Sequence, residues 1–530
     1  MPRRRRAPVP GLVPGLLAFA VLGLTAPAAA PAAAQQMPPD RIRALVETRE
    51  VAALEMFREY LSLPNDGHMP DDIERLLVWL EGAFGERGFA TRRLETPGNP
   101  LLLAERRVTN PAATVLVYLQ ADGQPVDPSA WFQESPYGPV LKEADPDAQG
   151  GFGPIPWDRL HDGVDPEWRV FARSASDSKG PNIQFLQALD VMAEAGVAPD
   201  YDLKVIIDTM EEMGSPHLPD AVARYRDDLA ADMLIIFDGP PHYSGAPSLK
   251  FGARGIARFT LTTFGPRVPQ HSGHYGNYAP NPGMRLAEIL ASMKDDDGRV
   301  TIPGFYDGIE LDAATRRILD AVPDDEDEIR RSLGIAEPDH VAGSLQEAVQ
   351  YPSLNVRGLR SAWVGDEART IVPATAVAEV DVRLVRETDG QRLLDLIRDH
   401  IEGLGYHVVS GRDPTEQERM THPRLARFDG GVSYAAFRTD FGSTPGRWLS
   451  DAYEHLFGQE PVKIRTSGGS IPISPFVTTL DVPAVTVPTV NPDNNQHSPN
   501  ENLRVGSFLE GIAIAAAVLS QPLRPYVTVP

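Results

Sequence analysis

Carboxylates, an amide and an imidazole fall directly after short apolar runs in this sequence. TVLVYL (114–119) runs into Gln120-Ala121-Asp122, and LKVII (203–207) runs into Asp208 and then Glu211-Glu212. MLIIF (233–237) meets Asp238, and AVTV (484–487) passes through Pro488 into a loop carrying His497. One aspartate behind one strand would serve as a helix cap. Four strand ends that deliver such groups together point to a ligand site, because open α/β sheets bind ligands beyond the carboxyl ends of their strands. The chain has no cysteine, which excludes disulfides, thiolate metal sites and cysteine nucleophiles. A metal site here must be built from histidine and carboxylates.

The elements that must position these groups are legible as periodicities. Ile42, Leu45, Val46, Val51, Leu54 and Phe57 recur near helical spacing, as do Ile73, Leu76, Leu77 and Leu80. A helix over 181–195 has Ile183, Leu186, Leu189 and Met192 in register and Gly196 as its stop. Continuous apolar strands at 114–119, 203–207, 233–237 and 484–487 alternate with helices, which predicts an α/β fold with a mostly parallel sheet covered on both faces. The middle of the chain reads differently. Strands at 256–264, 353–356, 376–385 and 406–409, with helices at 284–293 and 393–404, give the order βαββαβ, an α+β ferredoxin-like arrangement. The expected organisation is a catalytic domain over 35–249 and 411–530, interrupted by a lid or dimerisation domain over 250–410.

Residues 1–34 read as a secretory signal peptide. Arg3–Arg6 form a basic start, 11–25 an apolar stretch, and Ala32-Ala33-Ala34 a cleavage site. The protein is therefore expected to be exported, periplasmic or secreted. Net charge is −23, so nucleic acid and anionic membrane surfaces are unsuitable partners. No later apolar run is long enough to span a bilayer.

The ordered motifs resemble those of the two-zinc exopeptidases and amidohydrolases, the family of carnosine dipeptidases, aminoacylases, acetylornithine deacetylase and succinyl-diaminopimelate desuccinylase. QADGQPVD (120–127) is similar to the family's H-x-D-x-x-P, SDSKG (176–180) to its S-D-D-K-G, and Glu211-Glu212 to its paired glutamates. Asp238 falls on the next metal aspartate, and His271-Ser272-Gly273 resembles an H-S-G of the inserted domain. RTIVP (369–373), RLV (383–385) and GGSIP (468–472) resemble substrate-contact segments of the dipeptidase branch, and His497-Ser498 with Asn500-Glu501 resembles the closing H-S-x-N-E.

The resemblance implies a zinc-exopeptidase catalytic domain holding two divalent ions, zinc above all, with manganese or cobalt suitable too. Asp177 would bridge the ions. Gln120 and Asp238 would complete the first site, and Glu212 and His497 the second. Glu211 would act as general base and Asp122 would steer the first-strand ligand. His271 would reach across a homodimer to the partner's reaction centre, and Arg383 would hold a substrate carboxylate, with Thr370 and Ser470 assisting. The peptide after Asp177 would be cis. The implied activity is hydrolysis of a peptide or N-acyl-amino-acid bond next to a free carboxylate. One departure opens an alternative: Gln120 stands where the family has a histidine ligand, and an amide oxygen is the weaker zinc ligand. The alternative is a non-catalytic or mono-metal binding protein derived from this fold.

Overall fold

A computed structural model describes residues 36–469 and 471–527. The expected signal peptide and Ser470 lie outside the described residues.

An eight-stranded sheet carries the four apolar strands at its centre. Its order is Ala90–Leu94, Leu101–Arg106, Asp202–Asp208, Thr114–Gln120, Met233–Phe237, Ala484–Val487, Ser248–Lys250 and Val462–Ile464. The middle four strands are mutually parallel, while the two at the first edge are antiparallel, so the sheet is mixed but mostly parallel. Successive side chains of a strand point to opposite faces. Val115, Val117 and Leu119 accordingly join one apolar core, and Leu116 and Tyr118 the other. Burial on both faces explains why these strands read as unbroken apolar runs.

Helices Pro39–Leu61, Gly180–Ala195 and Val505–Ser520 pack on the first face, with Phe57 stacked on Phe508 at 4.7 Å between ring centres. Gly196 ends the second of these in a left-handed conformation, φ +70°, which glycine adopts without steric cost. Leu218–Arg224 and Ser474–Leu480 cover the second face.

A five-stranded sheet has a core of its own. Its order is Ser353–Arg360, Thr375–Leu384, Gly255–Phe264, Leu425–Tyr434 and His407–Val409. Helices Pro282–Ala291 and Gly390–Gly403 supply Leu286, Ile289, Leu393 and Ile397 to that core. Here the structure departs from the sequence expectation. His407–Val409 is only a short parallel edge strand, and Leu425–Tyr434 pairs antiparallel with Gly255–Phe264, so this sheet extends past residue 410. Asp429-Gly430-Gly431 conceals the strand in the sequence, since glycine weakens a strand pattern. The structure uses Gly430 for a close approach, because a Cβ there would lie 2.8 Å from Cβ of Phe259.

Among the described residues no helix is long and apolar enough to cross a membrane.

Candidate metal centre

The turn that carries Asp177 is built by a buried carboxylate. Glu501 accepts backbone N–H bonds from Ser174 (2.8 Å), Ser176 (3.0 Å) and Asp177 (2.9 Å), and a bond from Arg173 at 2.9 Å. Burial raises the Glu501 pKa, with Arg173 opposing the shift. The Asp177–Ser178 peptide is cis, as the resemblance implies. Helix Gly180–Ala195 follows at once. A side chain at Gly180 would meet Ala175 O at 2.5 Å and Leu503 Cδ2 at 2.6 Å, so only glycine lets turn and helix approach this closely.

The glutamate pair opens a single turn after strand Asp202–Asp208. Asp122, buried at the end of the neighbouring strand, accepts the Glu211 N–H at 2.9 Å and the Glu212 N–H at 3.1 Å. Its carboxylate thus positions the two glutamates, where the sequence reading had it steering residue 120. Burial and then Asp208 push its pKa well above the usual range.

At the sheet edge Asp177, Glu212 and His497 offer ligand atoms that all lie within 4.8 Å of one another. His497 Nε2 is 2.9 Å from Asp177 Oδ2 and 3.2 Å from Glu212 Oε2. Two carboxylates and an imidazole converging in this way suit a divalent ion. The electrostatics point the same way. Burial and then Asp177 push Glu212 up to about 8, and the bond to Asp177 helps raise His497 to about 9. Glu211 lies beside the group, its pKa raised well above the ordinary value by burial, Asp177, Glu212 and Asp238. This crowd of carboxylates is relieved by a cation.

The Asp238 side is arranged otherwise. Gln120 turns its amide nitrogen to Asp177 Oδ1 at 2.7 Å and to Ser178 Oγ at 3.0 Å, while its carbonyl oxygen is buried without a hydrogen-bond partner. The Ser178 hydroxyl lies 3.0 Å from Asp177 Oδ1 and 3.3 Å from Asp238 Oδ1. Burial and Asp177 raise Asp238 to about 6, and Lys250 opposes them. The residues fit one ion at Asp177, Glu212 and His497, and among the described histidines and carboxylates no other group converges in this way.

The remaining expected residues lie elsewhere. His271 is exposed on a two-stranded ladder with Ile371, and its Nδ1 accepts the Gly273 N–H. Thr370, also exposed, accepts the Ser272 N–H through its carbonyl. Arg383 lies on strand Thr375–Leu384, 3.3 Å from Asp381, and repels buried Arg254, whose backbone N–H reaches Gly469 O. Sequence reasoning missed Glu501 as the builder of the Asp177 turn, Gln124 on Glu212 (2.9 Å), Gln496 on Asp177 (3.3 Å) and Lys250. Glu501 was visible only as the last residue of a motif, and the other three carry no spacing signal.

The family model of Peptidase family M20/M25/M40 matches residues 143–521. The chain belongs to this family. It is a metal-dependent hydrolase by that membership, in keeping with the ligand group above. It is 27% identical to the Cys-Gly metallodipeptidase dug1 of Schizosaccharomyces pombe over 66% of this chain and 72% of that protein. It is 26% identical to the human Beta-Ala-His dipeptidase over 79% of this chain and 77% of the relative. Among solved structures, an M20 family metallo-carboxypeptidase from Sulfolobus solfataricus superposes with a TM-score of 0.72 at 26% identity, covering 90% of this chain and 99% of the other. Human carnosine dipeptidase 1 shares the fold with a TM-score of 0.70 at 21% identity, over 93% of this chain and all of that one.

Proposed function

We propose that this protein is a mono-metal hydrolase that cleaves a peptide or N-acyl-amino-acid amide bond next to a free carboxylate. The observation that carries the reading is the convergence of Asp177, Glu212 and His497 with Glu211 beside them. Asp177, Glu212 and His497 would hold one divalent ion, zinc above all; when bound, it supplies Lewis acidity at the scissile carbonyl. Glu211 takes a proton from the attacking water and gives it to the leaving amine. Asp122 keeps Glu211 aimed by holding its backbone N–H.

The second sheet supports a ferredoxin-like lid and dimerisation domain. Its strands, numbered by place in the βαββαβ unit, run 2-3-1-4 from Ser353–Arg360 to Leu425–Tyr434, with His407–Val409 added at the edge. Arg383 and Thr370 of this domain, with Ser470 assisting, hold the substrate carboxylate, and His271 serves the partner's site in a homodimer. The N-terminal segment directs export. The relatives, a Cys-Gly and a Beta-Ala-His dipeptidase, favour dipeptides as first substrates.

The test is hydrolysis of a dipeptide and N-acyl-amino-acid panel by chelated and by zinc-loaded protein. Turnover that appears with zinc supports the reading. A protein that takes up zinc and binds dipeptides without cleaving them overturns it in favour of a binding protein.

A further inference from the structure

The loop that carries His497 runs into strand Asn502–Arg504 of a four-stranded antiparallel sheet. The order of that sheet is Asn502–Arg504, Arg169–Phe171, Val140–Ala144 and Phe152–Pro154. Register separates its two faces. Leu141, Val170 and Leu503 lie opposite one another and join the main core. Side chains alternate along a strand, so Lys142, Arg169, Phe171 and Asn502 share the other face. Phe152, opposite Ala144, joins them there.

A cavity of about 430 Å³ lies on this second face, with Phe132, Gly150, Asn495 and Asn500 completing its walls. The walls are held in place. Asn500 Oδ1 accepts the Phe132 N–H at 2.8 Å. Gly150 lies against the Phe132 ring in a left-handed conformation, φ +77°, and a Cβ there would be 2.7 Å from that ring. Two cations belong to the lining, and they differ. Arg169 donates to Asp493 Oδ2 at 2.5 Å and to Asn502 Oδ1 at 3.0 Å. Lys142 is only 4% exposed, and its ammonium lies over the Phe171 ring, 4.4 Å from the centre. Among the described residues no hydrogen bond or ion pair engages that ammonium, although it has three N–H donors to place. A buried charge without a partner is costly, and an anion in the cavity would relieve it.

We propose that this cavity is a second ligand site, one that takes a monocarboxylate carried on an apolar or aromatic body. The carboxylate accepts from the Lys142 ammonium, and the body lies against the Phe132 and Phe152 rings. The ammonium selects an anion, and the rings select against a compact, strongly hydrated one. Asp493 also lines the cavity, so a dianion such as phosphate meets a like charge that a monocarboxylate feels less. None of Asp177, Glu212 and His497 lines the cavity, so the site needs no metal ion and stands apart from the hydrolytic reading.

The experiment titrates the metal-free protein with phenylacetate by calorimetry, so that no zinc can capture the carboxylate. The wild type should bind one equivalent, and inorganic phosphate at the same concentrations should not bind. Lys142→Met, with folding confirmed by thermal melting, should weaken phenylacetate at least about tenfold, the scale of one hydrogen bond to a charged group. Arg383→Ala, which alters the proposed substrate-carboxylate contact, should leave the affinity unchanged. Hydrogen exchange on the wild type needs no variant, and phenylacetate should protect residues 140–152 and 493–502. No binding of phenylacetate by the wild type, equal affinity in Lys142→Met, loss of binding in Arg383→Ala, phosphate bound as tightly, or protection confined to other segments would each overturn the assignment.

Discussion

Adjacent glutamates can have opposite duties, and the structure gives Glu211 and Glu212 different neighbours. Glu212 meets His497 at 3.2 Å and belongs to the ligand group, whereas Glu211 stands beside it. Glu211→Gln should therefore lower kcat by at least about a hundredfold, the scale of a lost general base, with zinc content unchanged. Glu212→Ala should lose the zinc itself, and elemental analysis of both variants separates the roles. Equal zinc loss in both would mean the pair is wrongly divided. Protons bear on the same residues. In the metal-free chain, burial lifts Glu212 to about 8, and the bond to Asp177 helps lift His497 to about 9, so both carry protons at neutral pH. An ion must displace those protons, so its affinity should rise as pH increases toward about 9 and weaken as pH falls. Calorimetry in buffers of different ionisation enthalpy reads the released protons; an affinity independent of pH would contradict this.

Short turns at the ends of long elements decide where the ligands stand. The turn Ala175–Lys179 is held by Glu501 from the far end of the chain, and the side chains of Glu501 and Arg173 are 1% and 4% exposed. Glu501→Ala would strand Arg173 and three backbone N–H groups. It should cost about 3–5 kcal/mol of stability, the scale of breaking a buried pair, and weaken zinc binding with it. A thermal melt close to that of the wild type would rule out this role. Gly180→Ala should act on the same turn by overpacking, destabilising by about 1–3 kcal/mol. Elements of this kind mark the limit of what the sequence shows. The parallel strands and the helix over 180–195 were legible because long runs of Val, Ile and Leu leave a periodic trace. Asp177, Glu212, Asp238 and His497 were legible because strand ends and family motifs coincide there. Strand Leu425–Tyr434 was not, since its two glycines erase the alternation, Gly430 serving the close approach to Phe259. Neither was the direction of the Gln120 amide, which depends on two residues distant in sequence, Asp177 and Ser178.

At the scale of the whole molecule, the chain sets a ligand group at one sheet and places His271, Thr370 and Arg383 on or beside another. His271 is exposed and bonded within its own turn, the placement expected of a residue that works on a partner subunit. Mixing inactive Glu211→Gln subunits with inactive His271→Ala subunits should then restore activity, because one composite site in the mixed dimer is complete. No recovery after confirmed subunit exchange would count against a shared site. The central claim, a hydrolase working with one ion at Asp177, Glu212 and His497, is tested most directly by titrating the metal-free protein with zinc while following hydrolysis of a dipeptide. Activity should climb in proportion to added zinc and level off at one equivalent per chain. A plateau reached only at two equivalents, or no hydrolysis at any loading, would contradict the account.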